Sequence, residues 1–86
     1  MQTVKMIGSS IRFHRRKAGL TQARLARMAG VGKASVFDVE KGKETVQMDT
    51  LLKILSVLNM DLDVKSPLTA EFLTTAGARA LDDKER

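Results

Sequence analysis

The chain has no cysteine, tryptophan or tyrosine, and a single histidine, among its 86 residues. Without cysteine there is no disulfide and no thiolate metal site. With one histidine, no cluster of acids and no phosphate-binding glycine loop, no set of residues pairs a nucleophile with a base or encloses a metal ion. An enzyme is therefore not expected, nor a cofactor. Aromatic residues make up only 3%, which leaves the core to Leu, Ile, Val, Met and Ala and favours a small helical domain. Apolar runs long enough to span a bilayer are also lacking. The opening stretch MQTVKMIGSSIRFHRRK has neither the long apolar segment nor the small-residue cleavage site of an export signal. A cytoplasmic location without membrane contact is the expectation. There is no internal repeat and no low-complexity tract.

What is present is globular in balance, with 43% apolar and 29% charged residues. A chain of this length accommodates one domain and a tail. The net charge of +5 is unevenly spread. Residues 1–43 carry ten Lys or Arg against Asp38 and Glu40, whereas 44–65 carry two against four acids and 66–86 three against four. A basic first half and a mildly acidic second half suggest that one end meets a polyanion and the other something else.

Ile7, Ile11, His14 and Ala18 recur at helical spacing and predict a helix over about 4–18, closed by Gly19. His14 falls on the apolar stripe, where a lone histidine reads as a packed side chain rather than a ligand or base. Thr21 is suited to cap a second helix that carries Leu25, Ala26, Met28 and Ala29 and stops at Gly30. Val36 and Val39 mark a third, from about 33 to 41, which closes at Gly42. Asp49 is placed to cap a fourth, dense in Leu51, Leu52, Ile54, Leu55, Val57 and Leu58, expected to be the most buried and to end at Asn59.

The segment MDLDVK then alternates, with Met60, Leu62 and Val64 on one side and Asp61, Asp63 and Lys65 on the other, which predicts a strand ended by Ser66-Pro67. No second strand pattern exists, so its expected partner is the same strand of another copy, making a homodimer dimerised through Met60, Leu62 and Val64. Beyond it, Leu68, Phe72 and Leu73 suit one or two helical turns, with partial order at most toward the charged end.

The stretch TQARLARMAGVGKASVFDVEKG carries the most specific signal. Two steeply crossing helices need a small side chain where they meet, a left-handed residue in the turn, and branched apolar residues inside the second helix. Ala26, Gly30 and the pair Val36/Val39 answer those needs. Together with the preceding GLTQ and the closing EKG, they make the chain resemble the lambda-repressor/Cro-like (XRE) helix-turn-helix family over about residues 7–59. A helix pair used only for packing explains the inner positions but not the basic residues around them.

The resemblance implies an all-α fold, a four- to five-helix lambda-repressor-like domain at 1–59, to which the reading above adds the dimerising strand at 60–66 and the tail at 67–86. It also implies that the second motif helix enters the major groove of double-stranded DNA. Carried over, the base readers are Lys33, Ala34, Ser35, Phe37 and Asp38. Lys33 can donate to guanine, Ala34 touch a thymine methyl, Ser35 donate or accept, and Asp38 accept from cytosine. Two roles stay open for Asp38, base reading or restraint of Lys41 or Arg24. Phe37 has three: a thymine methyl, the sugars, or the core. Gln22 is placed to bond a phosphate and brace the recognition helix. Lys41 and Lys43 are phosphate contacts by the same resemblance, with Arg12 and Arg24 as further candidates. Arg15 and Glu40 match an internal ion pair of the family.

The short domain followed by LNMDLDVKSP looks like the HipB-like antitoxins. That likeness implies a homodimeric autorepressor on a near-palindromic operator, which also binds a HipA-like serine/threonine kinase toxin. The tail from Leu68 onward is then either a partner-binding segment or dispensable. A stand-alone phage-like repressor without a toxin, and a protein-interaction module that does not bind DNA, are the other readings.

Overall fold

The computed structural model describes residues 3–76. Helix α1 spans Val4–Lys17, α2 Gln22–Ala29, α3 Lys33–Lys41 and α4 Met48–Val57; a single turn, α5 (Thr69–Glu71), runs into a π-helical turn, Phe72–Ala76. Each boundary has a local cause. Thr3 and Thr21 stand in extended backbone, and their hydroxyls accept from the N–H groups of Met6 (3.1 Å) and Arg24 (3.0 Å). This satisfies one of the free donors of each first turn.

All four longer helices end the same way. Gly19, Gly30, Gly42 and Asn59 adopt positive φ, and the next N–H in each case returns to the carbonyl five residues back: Leu20 to Arg15 (3.1 Å), Val31 to Ala26 (2.9 Å), Lys43 to Asp38 (3.0 Å) and Met60 to Leu55 (2.9 Å). Such closures satisfy carbonyls that the helix leaves free. They also turn Leu20, Val31 and Met60 back against the core.

That core comprises Ile11, Leu25, Ala26, Val36, Val39, Leu51, Ile54 and Leu55. The inner positions of the motif, Ala26, Val36 and Val39, are thus sealed, and Gly30 supplies the left-handed turn at φ 73°. Gly8 is buried too, where α1 crosses the end of α3.

Three expectations are corrected. On α1 the inward face runs through Ile7, Gly8, Ile11 and Arg15, whereas His14 is exposed and its Nδ1 lies 2.7 Å from the carbonyl oxygen of Ser10. Apolar spacing alone placed the stripe too far round, because a glycine and an arginine occupy inward positions. Asp49 is not the cap of α4; Gln47 holds that place, and Asp49 instead pairs with Lys53 at 3.6 Å. On α4, Leu51, Ile54 and Leu55 are buried, whereas Leu52 is 47% exposed.

The strand at 60–66 does not form. Among the described residues there is no β-strand, and 61–66 have no regular secondary structure. Met60 spends its N–H in closing α4, and the alternation that follows has no neighbouring strand among the described residues to complete a ladder. The architecture is all-helical, without strand pairing between subunits. Among the described residues, no helix is long and apolar enough to cross a membrane. The expectations for the charged end of the tail fall on residues 77–86, outside the described residues.

Candidate nucleic-acid interface

Helix α3 presents two chemically distinct sides. Val36, Val39 and Glu40 face inward and are buried, whereas Lys33, Ala34, Phe37 and Lys41 are exposed, and Ser35 and Asp38 half-buried. The helix starts at Gly32 without a side-chain cap. Its first turn therefore keeps the partial positive charge that attracts anions.

The inward side is fixed by a buried ion pair. Arg15 donates from Nε to Glu40 Oε2 at 2.6 Å, from Nη2 to Oε1 at 3.1 Å, and from Nη1 to the carbonyl oxygen of Leu20 at 2.8 Å. Gln22 Nε2 adds a fourth bond, to Glu40 Oε1 at 3.1 Å. Both side chains of the ion pair are nearly withdrawn from water, at 11% and 3% exposure. Buried charges are tolerable when paired and hydrogen-bonded to this degree. The Glu40 carboxylate thus ties the end of α3 to α1 and the start of α2, and Arg15 extends the network to the turn before α2.

On the outer side the long side chains are paired by chemistry rather than by core packing. Lys43 Nζ lies 3.5 Å from Asp38 Oδ2, so the partner of Asp38 is Lys43, not Lys41 or Arg24. Lys41 instead places its Nζ 5.5 Å from the centroid of the Phe37 ring. Phe37 points outward, 48% exposed, and does not fold back into the core. Arg12 and Arg24 are exposed as well. Lys33, Ala34, Ser35, Phe37, Asp38 and Lys41 therefore share one helix, Lys43 follows it directly, and Gln22 is joined to its far end through Glu40. Met60, Leu62 and Val64 are on the segment after α4, where Leu62 borders a cavity that Lys43 also lines and Val64 is 81% exposed.

The sequence pattern passed over Gly8 and marked Gly42 only as a helix stop, yet both decide how closely α1 meets α3. A Cβ on Gly8 would fall on the carbonyl oxygen of Val39, and one on Gly42 would lie 2.9 Å from Lys5 Cα. The available signal was Gly8 itself, a glycine in the middle of a helical pattern.

A model of a protein family described as Helix-turn-helix matches residues 11–65. The chain belongs to the helix-turn-helix family. This helix-turn-helix protein is 36% identical over 67 residues to the uncharacterized HTH-type transcriptional regulator y4mF of Sinorhizobium fredii, a match covering 78% of the chain and 88% of that relative. Among solved structures it is similar to a chain of the HipA-HipB-O2-O3 complex, with a TM-score of 0.70 and 21% identity over 78% of this chain and 94% of that one. A chain of the HipB-O4 20mer complex matches with the same TM-score, identity and coverage. At such identities the likeness is one of fold.

Proposed function

We propose that this helix-turn-helix protein is a sequence-specific DNA-binding repressor, not an enzyme, and that α3 is the helix that enters the major groove. The observation that carries the reading is the division of α3: its inner face is sealed by Val36, Val39 and the Glu40 network, while Lys33, Ala34, Phe37 and Lys41 are exposed beside Lys43. Lys33, near the open end of the helix, reads a base edge. Lys41, Lys43 and Gln22 hold phosphates, and in reaching one Lys43 exchanges the Asp38 carboxylate for it. Selecting bound DNA from a random pool should enrich a near-palindrome. Lys43→Ala is expected to weaken binding about equally on all sequences and to lower the salt slope by about one, whereas Lys33→Ala should relax preference at one position and cost about 1–3 kcal/mol. No enrichment at moderate salt defeats the reading.

The operator geometry follows from a dimer, with two copies of α3 set about 34 Å apart. Its contact is proposed at Leu62 and Val64, 43% and 81% exposed, through side-chain burial and without strand pairing. Val64→Asp is expected to give a monomer in sedimentation and to lose operator affinity; an unchanged dimer removes this segment from the interface. Fold likeness to HipB, taken with the HipA-HipB-O2-O3 complex, supports a HipA-like kinase toxin as a further partner. Co-purification of such a kinase with this protein checks it, and a protein that binds its operator but retains no kinase is the stand-alone repressor instead.

A further inference from the structure

Resting on the groove-reading role proposed for α3, we infer that Phe37 reads the C5 methyl group of a thymine and that Lys41 is the residue that positions its ring. Phe37 lies on the outer side of α3 with Lys33 and Lys41 one turn to either side of it, and it is 48% exposed although the core positions are already filled by Val36 and Val39. A phenyl ring has no atom that donates or accepts a conventional hydrogen bond. It therefore cannot tell bases apart by the polar pattern of their edges. The apolar feature that the major groove offers is the C5 methyl of thymine.

The Lys41 ammonium, 5.5 Å from the ring centroid, is attracted to the negative face of the ring. That contact does two things. It restricts the ring before DNA arrives, so less side-chain freedom is lost on binding. It also sets a cation beside the apolar probe, where phosphate charge is near. Before DNA arrives, the Asp38 carboxylate is held by Lys43 at 3.5 Å and so leaves Lys41 to the ring. The ammonium stands over the ring, and the side chain, 48% exposed, keeps surface that a methyl group can meet. The ligand class is a pyrimidine with a 5-methyl substituent, and uracil is the same base without it.

The test uses the operator enriched from the random pool, resynthesised with deoxyuridine in place of single thymidines. Deoxyuridine keeps every pairing and groove hydrogen-bonding atom and removes only the methyl. At one thymine per half-site the wild-type protein is expected to lose about fourfold in affinity for each methyl removed. Phe37→Ala should bind the thymidine operator more weakly and be indifferent to uracil at that position, while Phe37→Leu should keep part of the difference. Equal wild-type affinity for thymidine and deoxyuridine operators at every position overturns the assignment and leaves operator binding standing. A full thymidine preference retained by Phe37→Ala also overturns it and moves the methyl contact to another residue such as Ala34. No binding to any operator sinks the groove-reading role of α3 itself.

Discussion

Replacing Arg15 by Ala is expected to destabilise the domain by about 3–5 kcal/mol, because it removes one partner of a buried ion pair and leaves the other without compensation. Glu40 is 3% exposed, so water cannot take over the two bonds that the guanidinium makes to its carboxylate at 2.6 and 3.1 Å. Only the Gln22 amide remains, at 3.1 Å. The carbonyl oxygen of Leu20, which accepts from Arg15 Nη1 at 2.8 Å, loses its side-chain donor as well. Arg15→Lys is expected to fall between wild type and Ala, since a single ammonium replaces the charge but not the planar fork that serves three acceptors together.

The informative variant is the double replacement Arg15→Met with Glu40→Met. If the cost arises from an orphaned charge, removing both charges should cost clearly less than removing either alone. A residual loss of about 1–3 kcal/mol from the unpaired Leu20 carbonyl is expected to persist. Urea unfolding reads all four species, with a shift of midpoint at constant slope as the sign that only stability has changed. Additive losses in the two single variants would mean that Arg15 and Glu40 act through packing and not through each other. The same set bears on DNA binding. Gln22 and α3 are joined through Glu40, so Glu40→Gln, which keeps the shape and one acceptor, separates the electrostatic requirement from the positioning of the recognition helix.

The ends of the helices were legible in the chain because their signals are local. A threonine hydroxyl caps a nearby N–H, and Gly19, Gly30, Gly42 and Asn59 mark left-handed stops whatever packs around them. Val36 and Val39 could be placed inside for a similar reason, since two branched apolar residues three apart share a face. From the buried side of α3 the exposed side follows by subtraction, whereas the candidate contact residues on it are what the resemblance to the helix-turn-helix family implies. What the pattern does not settle depends on partners distant in sequence. Spacing alone sets Arg15 off the apolar stripe of α1, and only the family resemblance pairs it with Glu40, 25 residues on. The alternation of Met60, Leu62 and Val64 describes a strand only if another strand lies alongside, and none does among the described residues. Leu52 belongs to an apolar-rich helix that is covered on one side only. The pairing of Lys43 with Asp38, and of Lys41 with Phe37, is set by where long side chains reach in three dimensions, which spacing does not specify.

Gly8→Ala is expected to lower stability by about 3 kcal/mol, although the same change in an open helix raises it by roughly 0.5–1 kcal/mol. The reversal comes from geometry across two helices. An added Cβ would fall on the carbonyl oxygen of Val39 and lie 3.1 Å from that of Glu40, and both are backbone atoms at the end of α3 that cannot rotate aside. To admit the methyl group, α1 must move away from α3. Arg15 sits two turns further along α1, and its bonds to Glu40 hold these same helices together, so the displacement also stretches the buried ion pair. In a domain of this size about 3 kcal/mol corresponds to a fall in Tm of roughly 12–24 °C. The control is Gly19→Ala, where nothing stands within 4 Å and only the positive φ is strained; its cost should be about 1–2 kcal/mol. A Gly8→Ala protein as stable as wild type would show that α1 and α3 do not cross this closely. A protein that stays folded at reduced temperature but binds its operator weakly would show the opposite, that the crossing of α1 over α3 sets the height at which the recognition helix is presented.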